Sequence, residues 1–117
     1  MTTAEVAKAF AELCKSGDHE AAGARFWAED VVSREAMEGP MAEVRGKAAV
    51  KAKGDWWYDN HEVHSVETEG PFIHGDQFAL RFAMDVTAKQ TGQRIQMAEI
   101  GLYTVANGKV VEERFFY

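Results

Sequence analysis

At 117 residues and 46% hydrophobic content, the chain is long enough for one core and too short for two ordinary domains, so a single domain over residues 1–117 is expected. A formal charge of −6 without a clustered Lys/Arg stripe lacks the footprint of a nucleic-acid binder, and no apolar run is long enough for a membrane span. The lone Cys14 precludes an intrachain disulfide. With an N-terminus, Met1-Thr2-Thr3-Ala4-Glu5, that has neither a basic nor a continuous apolar leader region, it points to a cytoplasmic protein.

Thr2 and Glu5 have the spacing of a capping box, and Val6, Phe10, Leu13 and Cys14 follow at helical intervals. A first helix over residues 3–15 is predicted, with Cys14 a buried structural thiol. Ser16-Gly17 ends it, and Asp18 caps a second helix through Ala21, Ala22 and Phe26 to Trp27, closed by Glu29-Asp30. Val31 to Ala36 alternates like a strand and stops at the turn signal Glu38-Gly39-Pro40. After a loop, Gly46 opens a third amphipathic helix to about Asn60. Ala49, Val50, Trp56 and Trp57 lie near one side of it, and Lys47, Lys51 and Lys53 form its wet face.

The remainder reads as β structure: His61 to Glu69, a break at Gly70-Pro71, then Phe72-Ile73-His74, a turn at Gly75-Asp76 and a run from Gln77 to Ala88. In that run Phe78, Leu80, Phe82, Met84 and Val86 alternate with Ala79, Arg81, Ala83, Asp85 and Thr87, the period-2 signature of a strand. Thr91-Gly92 turns the chain into a long hairpin, Ile95–Val105 and Val110–Tyr117. Its turn, Asn107-Gly108, suits the two positive φ angles of a type I′ connection. Three helices before a curved, mainly antiparallel sheet define an α+β domain.

Three short pieces carry a resemblance by their order and spacing: Ser16-Gly17-Asp18, Phe26-Trp27-Ala28-Glu29-Asp30-Val31-Val32, and Gly108-Lys109-Val110-Val111-Glu112-Glu113. Together they resemble the nuclear transport factor 2-like superfamily, and within it the SnoaL-like, ketosteroid isomerase-related family. The resemblance spans almost the whole chain. It implies a cone-shaped α+β barrel, with three N-terminal helices packed on a strongly curved sheet enclosing a pocket. That architecture serves isomerases, polyketide cyclases, epoxide hydrolases, dehydratases and transport factors, so fold alone does not give function.

Read by that pattern, one face of each strand lines the pocket: Ser33 and Glu35; Phe78 to Val86 at alternate positions; Met97, Glu99, Gly101 and Tyr103; and Val111, Glu113, Phe115 and Tyr117. From the helical side, Phe10, Trp27 and Trp57 close it. The alternation alone puts Glu99 on the apolar face that carries Met97 and Tyr103, where a carboxylate needs a partner or a proton. Desolvation raises such a carboxyl's pKa, and a neighbouring carboxylate raises it further, which suits acid-base work. In ketosteroid-isomerase-like relatives the proton-shuttling acid stands where this chain has Glu35, and a second acid, matched by Glu99, donates to the developing oxyanion. The tyrosine those enzymes use as the main oxyanion donor falls on Phe10, which cannot donate, so steroid isomerisation itself is not expected. Tyr103, Tyr117 or a Trp indole could donate from another wall.

The histidines His61, His64 and His74 lack metal-ligand spacing, and no Gly-rich phosphate loop is present, so no metal and no cofactor is expected. The opposite sheet face, with Ala79, Ala83, Ala98, Ile100, Leu102, Thr104, Val110 and Phe116, is apolar enough to predict a homodimer through the outer sheet face. The leading expectation is therefore a pocket for a small apolar or oxygenated molecule. It carries isomerase, cyclase or hydratase chemistry, with Glu35 as base and Glu99 as acid or oxyanion partner. A non-catalytic ligand-binding module and a purely structural dimerisation domain are the alternatives.

Overall fold

The structure, a computed structural model, describes residues 1–117. Its elements run α1 (Thr3–Lys15), α2 (His19–Phe26), β1 (Trp27–Arg34), β2 (Glu43–Arg45), α3 (Lys47–Asn60), β3 (His61–His74), β4 (Gln77–Ala88), β5 (Arg94–Ala106) and β6 (Lys109–Phe116). The six strands form one mixed sheet in the order β2-β1-β6-β5-β4-β3. It is strongly curved and not closed into a barrel, since β2 and β3 remain as edges. All neighbours are antiparallel except β1 and β6, which run parallel. No helix is long and apolar enough to cross a membrane.

Local chemistry explains the helices. The Thr2 hydroxyl accepts from the Glu5 amide at 3.1 Å while Glu5 accepts from the Thr2 amide at 2.9 Å, completing the predicted capping box. Asp18 caps α2 by accepting from the Ala21 amide at 3.1 Å. In the β5–β6 turn Asn107 and Gly108 have φ of 52° and 75°, as the type I′ assignment requires. The inner faces of α1, α2 and the sheet bury Val6, Phe10, Cys14, Phe26, Phe78, Leu80 and Tyr103 in one core.

Five local readings need correction. Helix α2 stops at Phe26 and β1 starts at Trp27, because Gly23 leaves room for the Trp27 ring to fold back over the helix: a Cβ at Gly23 would lie 2.6 Å from that ring. The loop before α3 contains the short strand β2, and β3 continues through Gly70-Pro71 with a register shift where a break was expected.

The fourth correction concerns β6. Thr104 faces Glu112 and Val105 faces Val110, so Val111 is an extra, bulged residue. The bulge puts Val110 fully inside rather than on the outer face and removes Val111 from the lining set, while Glu113 stays inward. The fifth concerns α3, whose inner stripe is Val50, Lys53, Gly54 and Trp57, spaced i, i+3, i+4, i+7. Lys53 therefore lies on the inner side, not on the wet face, and Ala49 and Trp56 are exposed.

Candidate functional site

The parallel pairing of β1 with β6 sets Ser33 opposite Glu113, and both side chains are buried. From this pair a chain of hydrogen bonds crosses the interior. Glu113 accepts from Trp27 Nε1 at one oxygen and from Ser33 Oγ at the other, both at 2.8 Å. Ser33 Oγ accepts in turn from Lys53 Nζ at 2.5 Å, and Lys53 also donates to Glu35 Oε1 at 2.8 Å. The Tyr117 hydroxyl closes the chain, donating to Glu35 Oε2 at 3.0 Å. Both oxygens of Glu35 and both of Glu113 are thus engaged.

Lys53 is the member the sequence hid. Its side chain is only 11% exposed, its ammonium lies 5.7 Å from the Phe115 ring centroid, and its stem replaces the water that a lysine on a helix normally keeps. The signal was present as the 50/53/54/57 spacing. The alternation of Lys47, Lys51 and Lys53 masked it.

Glu99 stands apart from the chain of bonds. On β5 it pairs in register with Phe82 of β4, on the face that also carries Met97, Gly101 and Tyr103, and its carboxyl forms no hydrogen bond or ion pair within the chain. Burial, then the charges of Glu35 and Glu113, push its pKa up to about 7, with Lys53 pulling the other way. Glu113 is also raised by burial, a shift opposed by its bonds from Ser33 and Trp27 and by Lys53. Burial lifts the Cys14 thiol to about 12, which matches the expected inert structural role.

The remaining expected pocket residues divide into two groups. Phe10, Phe82 and Tyr103 are at most 4% exposed. The Tyr103 ring is stacked on Phe78 at 4.9 Å and tilted against Phe10 at 4.8 Å, so this end of the cone is filled by aromatic packing. The Tyr103 hydroxyl sits over Gly101, 2.7 Å from where a Cβ would stand, and burial raises its pKa well above the ordinary value. Met84 and Met97 form a half-buried cross-strand pair, and Trp57 stacks on His61 at 4.4 Å. Cavities of about 250 and 240 Å³ lie beside the α1–α2 turn and beside Trp56, and neither is lined by Glu35, Glu99 or Glu113. No group of three or more His, Cys, Asp or Glu side chains is gathered where it could hold a metal ion.

Three helices covering one face of an open, strongly bent sheet, with carboxyls set into that face, define the cystatin-like, nuclear transport factor 2-like α+β fold. The family model described as a SnoaL-like domain matches residues 1–117, and the chain belongs to that family. A candidate SnoaL-like polyketide cyclase from Mesorhizobium loti, also described as a carbohydrate phosphatase, is 58% identical over 100% of both chains with a TM-score of 0.98. A protein of unknown function with a cystatin-like fold from Xanthomonas campestris is 22% identical over 99% of this chain and 90% of that one, with a TM-score of 0.77. A candidate isomerase from Bacillus subtilis is 18% identical over 98% of this chain and 88% of that one, with a TM-score of 0.73. These last two similarities are of fold. Comparison with curated proteins returned no match.

Proposed function

We propose that this SnoaL-like domain binds a mostly apolar, oxygenated small molecule and moves a proton on it, in an isomerisation or cyclisation of the kind named for its relatives. The observation that carries the reading is Glu99: a half-buried carboxyl without a partner, set between an apolar ring and two other carboxyls, and held near neutrality. A group half-ionised near pH 7 can take a proton from a C–H or O–H beside a carbonyl and return it elsewhere on the same molecule. Glu35, tied by Lys53 and Tyr117, acts on Glu99 through its charge, and Lys53 keeps that charge from driving the proton affinity of Glu99 higher. Three carboxyls against one ammonium make the interior a poor host for a phosphate ester, so cyclase-like chemistry fits this chain better than the phosphatase description of its Mesorhizobium relative.

A second reading, a binding module without turnover, draws support from the aromatic packing of Phe10, Phe78 and Tyr103 and from the absence of a tyrosine at Phe10. The two separate on exchange of the α-protons of 2-tetralone in deuterated water. For an enzyme, exchange runs faster than in buffer, rises with pH through the Glu99 midpoint near 7, and drops to the buffer rate in Glu99→Gln. Equal rates in the parent and the variant, or a Glu99 side-chain carbon titrating near the ordinary value of 4.5, would remove the acid-base reading.

A further inference from the structure

Two buried polar atoms in the molecule have no hydrogen-bond partner, His19 Nε2 and Thr68 Oγ1. They flank the same ring. Thr68 on β3 is the direct cross-strand partner of Phe82, and the His19 imidazole packs edge-on against Phe82 with centroids 5.7 Å apart. Phe82 is in turn the cross-strand partner of Glu99, so Thr68, Phe82 and Glu99 form one row across three strands with His19 above it. His19 also lines the cavity of about 250 Å³ beside the α1–α2 turn, together with Asp18, Glu20 and Tyr58. The histidine therefore joins an open cavity to the row that carries the proposed proton carrier.

Leaving a buried donor or acceptor unmade is costly, and two such atoms beside one ring are uncommon in a settled core. We propose that His19 and Thr68 form a hydrogen-bonding subsite over Phe82 that takes an uncharged hydroxyl or carbonyl oxygen of the ligand. The chemistry of the surroundings selects that class. The His19 Nε2 position and a threonine hydroxyl can each donate or accept, which matches a neutral oxygen. Asp18 and Glu20 at the cavity and Glu99 at the end of the row repel a carboxylate or phosphate. Burial disfavours the charged form of the His19 ring, against the opposing pull of Asp18, so it makes a poor cation site for such an anion. The inference rests on the proposed pocket reading and adds to it the placement of the ligand's polar end, one side chain, Phe82, away from Glu99 along the same row.

The test compares 2-naphthol with 2-methylnaphthalene, which share an apolar body and differ in the oxygen, by fluorescence titration. The parent protein is expected to bind 2-naphthol about tenfold more tightly, the worth of one or two hydrogen bonds. Thr68→Val and His19→Leu should each bring the ratio to within about twofold, while Thr68→Ser, which keeps the hydroxyl, retains it. The ratio is the readout because a variant that merely loosens the pocket weakens both probes alike. A ratio unchanged in Thr68→Val and His19→Leu, or failure of both probes to bind at millimolar concentration, overturns the subsite. Glu99→Gln should keep the ratio while losing proton exchange, so failure of the acid-base reading and failure of this subsite give different results.

Discussion

Lys53 sets the charge balance among three carboxyls. Glu99 has a higher pKa in the folded chain, about 7, than the ordinary value of 4.5, so the folded state holds its proton more tightly than the unfolded state does. The stabilisation from that proton is complete below about pH 4.5 and is lost as pH rises to about 7, an effect on the order of 3 kcal/mol. Lys53→Met removes the one cation that opposes the shift and leaves Glu35 with Tyr117 alone, so the Glu99 midpoint should move above about 7 and stability at neutral pH should fall by about 1–3 kcal/mol. Urea unfolding of the parent and Lys53→Met between about pH 4 and about pH 8 measures both effects. A parent curve flat across that window, or a variant that overlays it, would show that the carboxyls are not coupled through Lys53. Glu99 was legible in the sequence because strand alternation is a strict period of two. His19 and Thr68 were not, because an unpaired polar atom is a property of packing that no spacing reveals.

At the scale of elements, Gly23 illustrates how far local propensity reaches. In an exposed helix interior Gly→Ala stabilises by about 1 kcal/mol. Here the added Cβ would meet the Trp27 ring at 2.6–2.7 Å, and the ring cannot move without drawing its N–H away from Glu113. Gly23→Ala should therefore destabilise by about 1–3 kcal/mol and alter the near-ultraviolet dichroism of the tryptophans. A more stable Gly23→Ala protein with an unchanged spectrum would contradict this packing.

The helices, the β4 alternation and the hairpin turn could all be read from the sequence, since each depends on neighbours within a few residues. The Val111 bulge could not, because it arises from the register between β5 and β6, and a single extra residue exchanges the faces of everything beyond it. Glu113 is inward in both readings only because the expected pattern placed Val111, and not Val110, on its side of the strand.

On the whole molecule, the outer sheet face gathers Phe72, Ile100 and Phe116, which are 61%, 38% and 47% exposed, with Ile100 and Phe116 directly paired across β5 and β6. We propose that two copies pack these faces about a two-fold axis. Sedimentation at micromolar concentration should show a dimer that Phe116→Lys converts to a monomer with its circular dichroism preserved. A parent protein sedimenting as a monomer would leave the patch without this role.

The parallel pairing of β1 with β6 has a temporal meaning as well as a spatial one. Trp27 and Ser33 meet Glu113 across sequence separations of 86 and 80 residues, while β3, β4 and β5 each pair with the next strand along the chain. Hairpin neighbours close short loops, whereas the longest loop carries the largest closure entropy and forms against the steepest odds. As the chain emerges in order, the meander can assemble on itself, but β1 has to wait for a partner made last. The buried Glu113 carboxyl, whose charge acts on Glu99, thus gains its Trp27 and Ser33 partners only at a junction that closes after the rest of the sheet.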